Sequence, residues 1–121
     1  MTMAMTGALA VVAIAGIAVA ALGTLYAARA QAQGAADAAA LAAAVATYPP
    51  ATSADPLMAA RGIAEDNGAM LVGCTCPRDD TMKARIVEVV TGVRVDLPLF
   101  GDVTVRSSAR AEFDPRLWLG R

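Results

Sequence analysis

The most reactive side chains in this sequence belong to two cysteines one position apart, in Cys74-Thr75-Cys76. Two thiolates leave a tetrahedral zinc site incomplete, and the sequence contains no histidine to complete it. On a regular strand both side chains point to the same face, so a bond between them requires the backbone to depart from strand geometry. Since an even cysteine count outside the cytoplasm favours a disulfide, we predict oxidised Cys74 and Cys76, with free or intermolecular thiols as the alternatives.

Other patterns that carry chemistry are missing from the sequence. It has no histidine, phosphate-binding loop, nucleophile elbow or glycine-rich dinucleotide turn. Lys and Arg number 10 against 11 Asp and Glu, so the sequence does not indicate a basic surface for binding nucleic acid. Aromatic residues make up 4% of the chain, too few to stack on bases. We therefore predict a protein that is not an enzyme, with no cofactor, no metal site, no nucleic-acid partner and no small-molecule substrate.

The N-terminal segment determines where the rest of the chain must work. Residues 1–28 carry no charge and are long enough, at 1.5 Å per residue, to cross a hydrocarbon core of about 30 Å. A signal peptide cleaved near Ala28-Arg29-Ala30 and a buried helix are the alternatives, but the apolar run is longer than a signal peptide needs. We predict a retained single-pass anchor in the cell membrane, with Tyr26 and Arg29 at the membrane boundary.

The orientation of the anchor follows less directly from the sequence. Arg29 lies after the apolar run, and by the positive-inside rule it favours a cytoplasmic C-terminal part. A basic leader ahead of the apolar segment would reverse the orientation that Arg29 favours. Because a single arginine is thin evidence, we expect an extracytoplasmic C-terminal domain.

The anchor helix is predicted to continue well beyond the apolar segment. Residues 27–46 are dominated by alanine, the best helix former, and Tyr48-Pro49-Pro50 ends the helix. Small residues at fourfold spacing let helix backbones approach closely. We predict that partner helices contact two such sets, Gly16, Ala20 and Thr24 in the anchor and Ala35, Ala39 and Ala43 beyond it; the alternative is that the alanine content is a composition bias without a partner.

A short second helix is predicted over residues 57–67. Asp55 is placed to cap its N-terminus, Pro56 suits its first position, and Asn67-Gly68 marks its end. With one apolar face, a helix of this length must dock on another element.

From Gly68 onwards the pattern changes to a period of two. Residues 102–113 alternate small or apolar with polar side chains, and residues 93–97 do the same, with a bulge or bend expected at Thr91-Gly92. This predicts an antiparallel sheet of three to four strands whose small face packs on helix. The fold class is therefore α+β, divided into a membrane-spanning and alanine-rich helix (1–48), a linker (49–56) and a small extracytoplasmic α+β domain (57–121).

The order of these segments resembles a known family. The run Gln31-Ala-Gln-Gly-Ala-Ala-Asp37-Ala-Ala-Ala-Leu41, after an uncharged anchor, is similar to the alanine-rich segment of TadE/TadG-like proteins of tight-adherence (Flp, type IVb) pili, especially the short actinobacterial TadE-like branch. The later Ala64-Glu-Asp-Asn67-Gly68 segment and the valine-alternating strands also look like that branch. The residues that match the alanine-rich motif are Arg29, Gln31, Ala35, Ala36, Asp37 and Leu41.

The resemblance implies a pilin-like fold and a role as a minor pilin or assembly subunit of a Flp pilus or related secretion system. It also implies partners, namely other pilin-like or Tad assembly subunits reached through the N-terminal helix, and placement at the membrane or in a surface pilus. The sequence departs from the prepilin pattern in having no basic leader and no glutamate in residues 1–28. The alternative is a signal-anchored or secreted accessory protein unrelated to pili.

Overall fold

The architecture is a long helix with a small sheet and a short helix docked along its C-terminal half. The computed structural model describes residues 2–120, and these contain three helices and three strands. In chain order they are α1 (Thr2–Ala46), α2 (Pro56–Asp66), β1 (Met70–Thr75), β2 (Arg85–Leu97), β3 (Gly101–Phe113) and α3 (Pro115–Leu119). The predicted α+β class, with a long apolar N-terminal helix, a short helix and an antiparallel sheet, is confirmed.

The ends of the helices follow from local sequence signals. Helix α1 stops before Tyr48-Pro49-Pro50, as the prolines predict. Asp55 caps α2 by accepting a hydrogen bond from the Met58 amide at 3.1 Å, an interaction that typically stabilises a helix by about 1 kcal/mol. At the other end of α2, Gly68 adopts a left-handed φ of 72°, which turns the chain into β1.

The strands form one antiparallel sheet in the order β1-β2-β3, with Val89 of β2 opposite Ala109 of β3. The predicted bend at Thr91-Gly92 is wrong, because β2 runs unbroken through both residues. The irregularity lies instead in β1, where the register shifts between Leu71 and Gly73. Gly92 instead lies close beneath neighbouring side chains, since an added Cβ would lie 3.0 Å from Thr104 Cγ2 and that side chain would have to shift by a few tenths of an ångström.

The core lies between one face of the sheet and the alanine face of α1. Odd-numbered residues of β2 and β3 point inward, and Val87, Val89 and Ala111 are buried there. Helix α1 contributes to this core from Ala28 onwards. Packing therefore does not follow the division predicted at residue 48, because the second half of α1 belongs to the same compact unit as the sheet.

Arg85 holds together the end of this unit where α1 terminates. Its guanidinium donates to the carbonyl oxygens of Thr47 and Asp79, and it lies 5.8 Å from the centre of the Tyr48 ring. The Tyr48 ring in turn packs 6.1 Å from that of Phe113. The end of α1, the start of β2 and the end of β3 therefore meet in one cluster, the Tyr48 cluster (Tyr48, Arg85 and Phe113).

Candidate functional site

The alanine face of α1 is occupied by the protein's own sheet and by α2. Ala35, Ala39 and Ala43 are each at most 1% exposed and lie among the residues of the core. The prediction that these three residues contact partner helices is therefore wrong. Small side chains do allow close approach here, as predicted, but the element that approaches is the sheet that the same chain forms.

A buried hydrogen bond fixes how the sheet sits on the helix. The Thr91 hydroxyl, fully buried at the middle of β2, donates to the Ala32 carbonyl oxygen at 2.6 Å. Because a buried hydroxyl needs a partner, this bond sets one register between sheet and helix. No pattern in the sequence pointed to it, since a threonine facing inward on a valine-rich strand is indistinguishable from a packing residue.

The glutamine of the family motif joins α1 to the turn after α2. Gln31 Nε2 donates to the carbonyl oxygens of Asn67 at 3.2 Å and Gly68 at 3.4 Å. Gly68 is favoured here by its positive φ; a Cβ added to it would lie 2.4 Å from that same nitrogen, so the end of the Gln31 side chain would have to move. Two segments that carry the family resemblance thus contact each other directly.

The other motif residues divide into a buried and an exposed set. Ala36 is buried beside Ala35, whereas Arg29 and Asp37 are exposed and Leu41 is 64% exposed. Asp37 accepts a hydrogen bond from Gln33 one turn earlier, at 3.0 Å. Asp37 and Leu41 therefore lie outside the core, and Gln33, the partner of Asp37, also donates to the Ser108 carbonyl oxygen of β3 at 3.3 Å.

The small residues of the apolar segment stay free of the chain's own domain. Gly16, Ala20 and Thr24 are exposed, and the Thr24 hydroxyl donates to the Ala20 carbonyl oxygen at 3.0 Å. That bond satisfies the hydroxyl within the helix, which suits an apolar environment. At 100° per residue these three residues lie about 110° around the axis from the face that the sheet covers.

The tip of the β2–β3 hairpin reaches the apolar segment of α1. Ile14, Ile17, Ala18 and Ala21 of the helix line one shallow apolar groove with Leu99 and Phe100 of the hairpin. This contact was not predicted from the sequence. The available signal was strand length, because 13 residues at about 3.3 Å match almost 30 residues of helix.

Cys74 and Cys76 lie at the end of β1 and just beyond it, and the structure joins them by a disulfide with their Cα atoms 5.5 Å apart. Both are partly buried and pack at the edge of the core. Their oxidation in the native protein stays a prediction.

Hydrogen bonds and nearby charge lower the pKa values of two partly buried carboxyl groups. Hydrogen bonds from Thr81, first its backbone amide, lower the pKa of Asp79 below its ordinary value. The Arg116 side chain, as hydrogen-bond donor and as charge, lowers the pKa of Asp114, which caps α3. Both groups stabilise turns. Among residues 2–120, no three His, Cys, Asp or Glu side chains gather as a group that could hold a metal ion.

Together these features define a class, a small α+β domain built on the second half of a helix whose first half is apolar and mostly exposed. Within the described chain, the segment from Met3 to Ala46 is long and apolar enough to cross a membrane, by length and composition. Its most apolar window has no residue buried against the rest of the protein.

Comparison with known proteins adds one match. Residues 1–46 match the family model described as "Putative Flp pilus-assembly TadE/G-like". Over its first helix the chain is similar to this family, which confirms there the resemblance deduced from the sequence. The match links the chain to Flp/Tad pilus assembly. No curated protein and no solved structure matches the chain significantly.

Proposed function

We propose that this protein is a membrane-anchored minor pilin or assembly subunit of a Flp (tight-adherence) pilus or related secretion system, acting by contact and not by catalysis. The observation that carries the proposal is the family match over α1, the helix that is both the candidate membrane span and the support of the domain. The accessory protein unrelated to pili is the competing function that the experiments below address.

The proposed contact surface is the face of α1 that carries Gly16, Ala20 and Thr24, the small-residue seam. It is exposed along its whole length. The hairpin tip lies along Ile14, Ile17, Ala18 and Ala21, whose centre is about 110° around the helix axis from Ala20. A partner helix can therefore approach the seam without displacing the domain, and in lipid such close approach is a main source of helix association.

We place the domain on the extracytoplasmic side. This orientation agrees with the predicted oxidation of Cys74 and Cys76, because disulfides persist outside the cytoplasm and are rare within it. Arg29 favours the opposite orientation, but a single basic residue is a small bias. Protease added to intact cells stripped of their wall should digest the exposed loops after residue 47. If these loops resist digestion until the cells are lysed, the outward orientation is wrong.

The seam is tested by one substitution and a matched control. Ala20→Leu adds bulk on the seam, whereas Ala15→Leu makes the same change about 140° around the helix from the seam's centre, on a side that is also exposed. Leucine is as acceptable as alanine in lipid and nearly as good in a helix, so both variants insert and fold.

The readout is copurification with sheared filaments and with membrane-bound assembly subunits from the native cell. We expect Ala20→Leu to be lost from these complexes and Ala15→Leu to remain. Equal recovery of both variants with the filaments would eliminate the seam. Absence of the wild-type protein from filaments and assembly complexes alike would favour the unrelated accessory protein.

A further inference from the structure

The hairpin tip has an unusual composition for a solvent-exposed turn. Leu97, Pro98, Leu99, Phe100 and Gly101 form an uncharged tip, and Leu99 and Phe100 are 88% and 74% exposed. The Phe100 amide donates to the Leu97 carbonyl oxygen at 3.1 Å, which closes a tight turn. In water such a turn is normally built from glycine, asparagine and other polar residues.

The backbone conformation at Leu99 is also unusual for a leucine. Leu99 has a φ of 73°, in the left-handed region, at the position of the turn where glycine or asparagine is favoured. A leucine there is conformationally unfavourable, and its exposure to water is unfavourable as well. An apolar environment around the tip removes the cost of exposing this leucine to water.

The position of the tip along α1 follows from distances in the fold. Thr91 is bonded to Ala32, so this pair marks one level on both elements. Leu97 lies six residues further along β2, about 20 Å towards the N-terminal end of α1. The same 20 Å corresponds to about 13 helical residues, which agrees with the groove between the tip and residues 14–21.

A pair of carboxylates limits how deeply the tip can enter lipid. Asp96 and Asp102 face each other across the hairpin on the side away from α1, and both are exposed. Charged side chains are costly in the hydrocarbon core, so these two must stay at its surface or above it. Only residues 97–101 lie beyond them, which allows an insertion of about 7 Å, within the range of interfacial segments.

We propose that the β2–β3 hairpin tip inserts into the surface of the phospholipid bilayer that α1 crosses, which gives the protein a second membrane contact. This inference rests on the proposed membrane span. It shifts the hydrocarbon boundary from Arg29, where the sequence predicted it, to about residue 20 of α1. Residues 2–20 of α1 then lie on the membrane side of this boundary, long enough at 1.5 Å per residue to cross a core of about 30 Å, and Tyr26 lies in the headgroup region.

The test uses the full-length protein in phosphatidylcholine vesicles and quenching of tryptophan by brominated acyl chains. The natural tryptophan is first removed by Trp118→Phe, and one tryptophan is then introduced by Phe100→Trp at the tip. Ser108→Trp, on the exposed face of β3 well above the carboxylates, is the matched control in the same hairpin. Leu9→Trp reports separately on the membrane span.

We expect Phe100→Trp to lose emission most strongly with lipids brominated near the headgroup, Leu9→Trp with lipids brominated deeper, and Ser108→Trp with neither. Quenching of Leu9→Trp without quenching of Phe100→Trp overturns the second contact and leaves the span intact. If neither is quenched, the span itself is wrong. A blue shift of Phe100→Trp that grows with protein density, without quenching, also overturns the proposal and assigns the tip to contact between protein subunits.

Discussion

Replacing Ala39 by leucine tests whether the alanine face of α1 belongs to the core. Ala39 is fully buried in the core cluster that contains Val87 and Val89, the alanines of β3, and Ala60 and Ala64 of α2. Leucine adds three carbon atoms where the sheet leaves no room, and overpacking of this kind costs about 3 kcal/mol at the upper end of the usual range. For a compact unit of this size, that corresponds to a drop in the melting temperature of at least about 12 °C.

The assay is thermal unfolding of the full-length protein in detergent micelles, followed by the fluorescence of Trp118 and by near-UV circular dichroism. Ala30→Leu is the matched control, because Ala30 lies on the same helix, is exposed, and faces away from the sheet. Its melting temperature should stay close to that of the wild type, since leucine and alanine have similar helix propensities. If Ala39→Leu melts together with Ala30→Leu and the wild type, the sheet does not pack on this face and the alanine face is again available to partners.

Two further results are expected. Gly68→Ala should lower the melting temperature, because it places a side chain at a positive φ and brings its methyl group against Gln31. The loss should become smaller in a Gln31→Ala background. An equal loss in both backgrounds would show that the added methyl group and Gln31 do not interact. Alkylation of the native protein without reductant should leave its intact mass unchanged, because Cys74 and Cys76 are bonded to each other, whereas the addition of two alkyl groups would contradict the disulfide.

Local signals were sufficient to predict most elements of this fold. Asp55, Pro56 and Gly68 delimit α2 because capping and left-handed turns depend on residues within a few positions. The role of the alanines could not be deduced in the same way. A small side chain permits close approach by any backbone, and only the tertiary structure determines whether Ala39 meets a partner helix or the sheet of its own chain.

The candidate site, too, could be predicted from the sequence only where local patterns were enough. The exposed small residues of the apolar segment were identified from spacing alone, and their contact with a partner remains a prediction. The proximity of Phe100 to Ile14 depends on the length and direction of β2, which are set by the register between Thr91 and Ala32. A contact between residues so far apart in the sequence leaves no local pattern.

The position of the Tyr48 cluster, at the end of the compact unit far from the apolar half of α1, affects how the protein would respond to mechanical load. The apolar half of α1 leaves the compact unit at one end, while Phe113 and α3 lie at the opposite end, beyond about 45 Å of helix between Ile17 and Tyr48. A pull between the membrane and a partner bound near α3 is directed along the helix, so it loads the interface between α1 and the sheet in shear. All contacts along that interface then resist together instead of separating one after another, and the rate of forced unfolding is governed by the rupture of the whole interface.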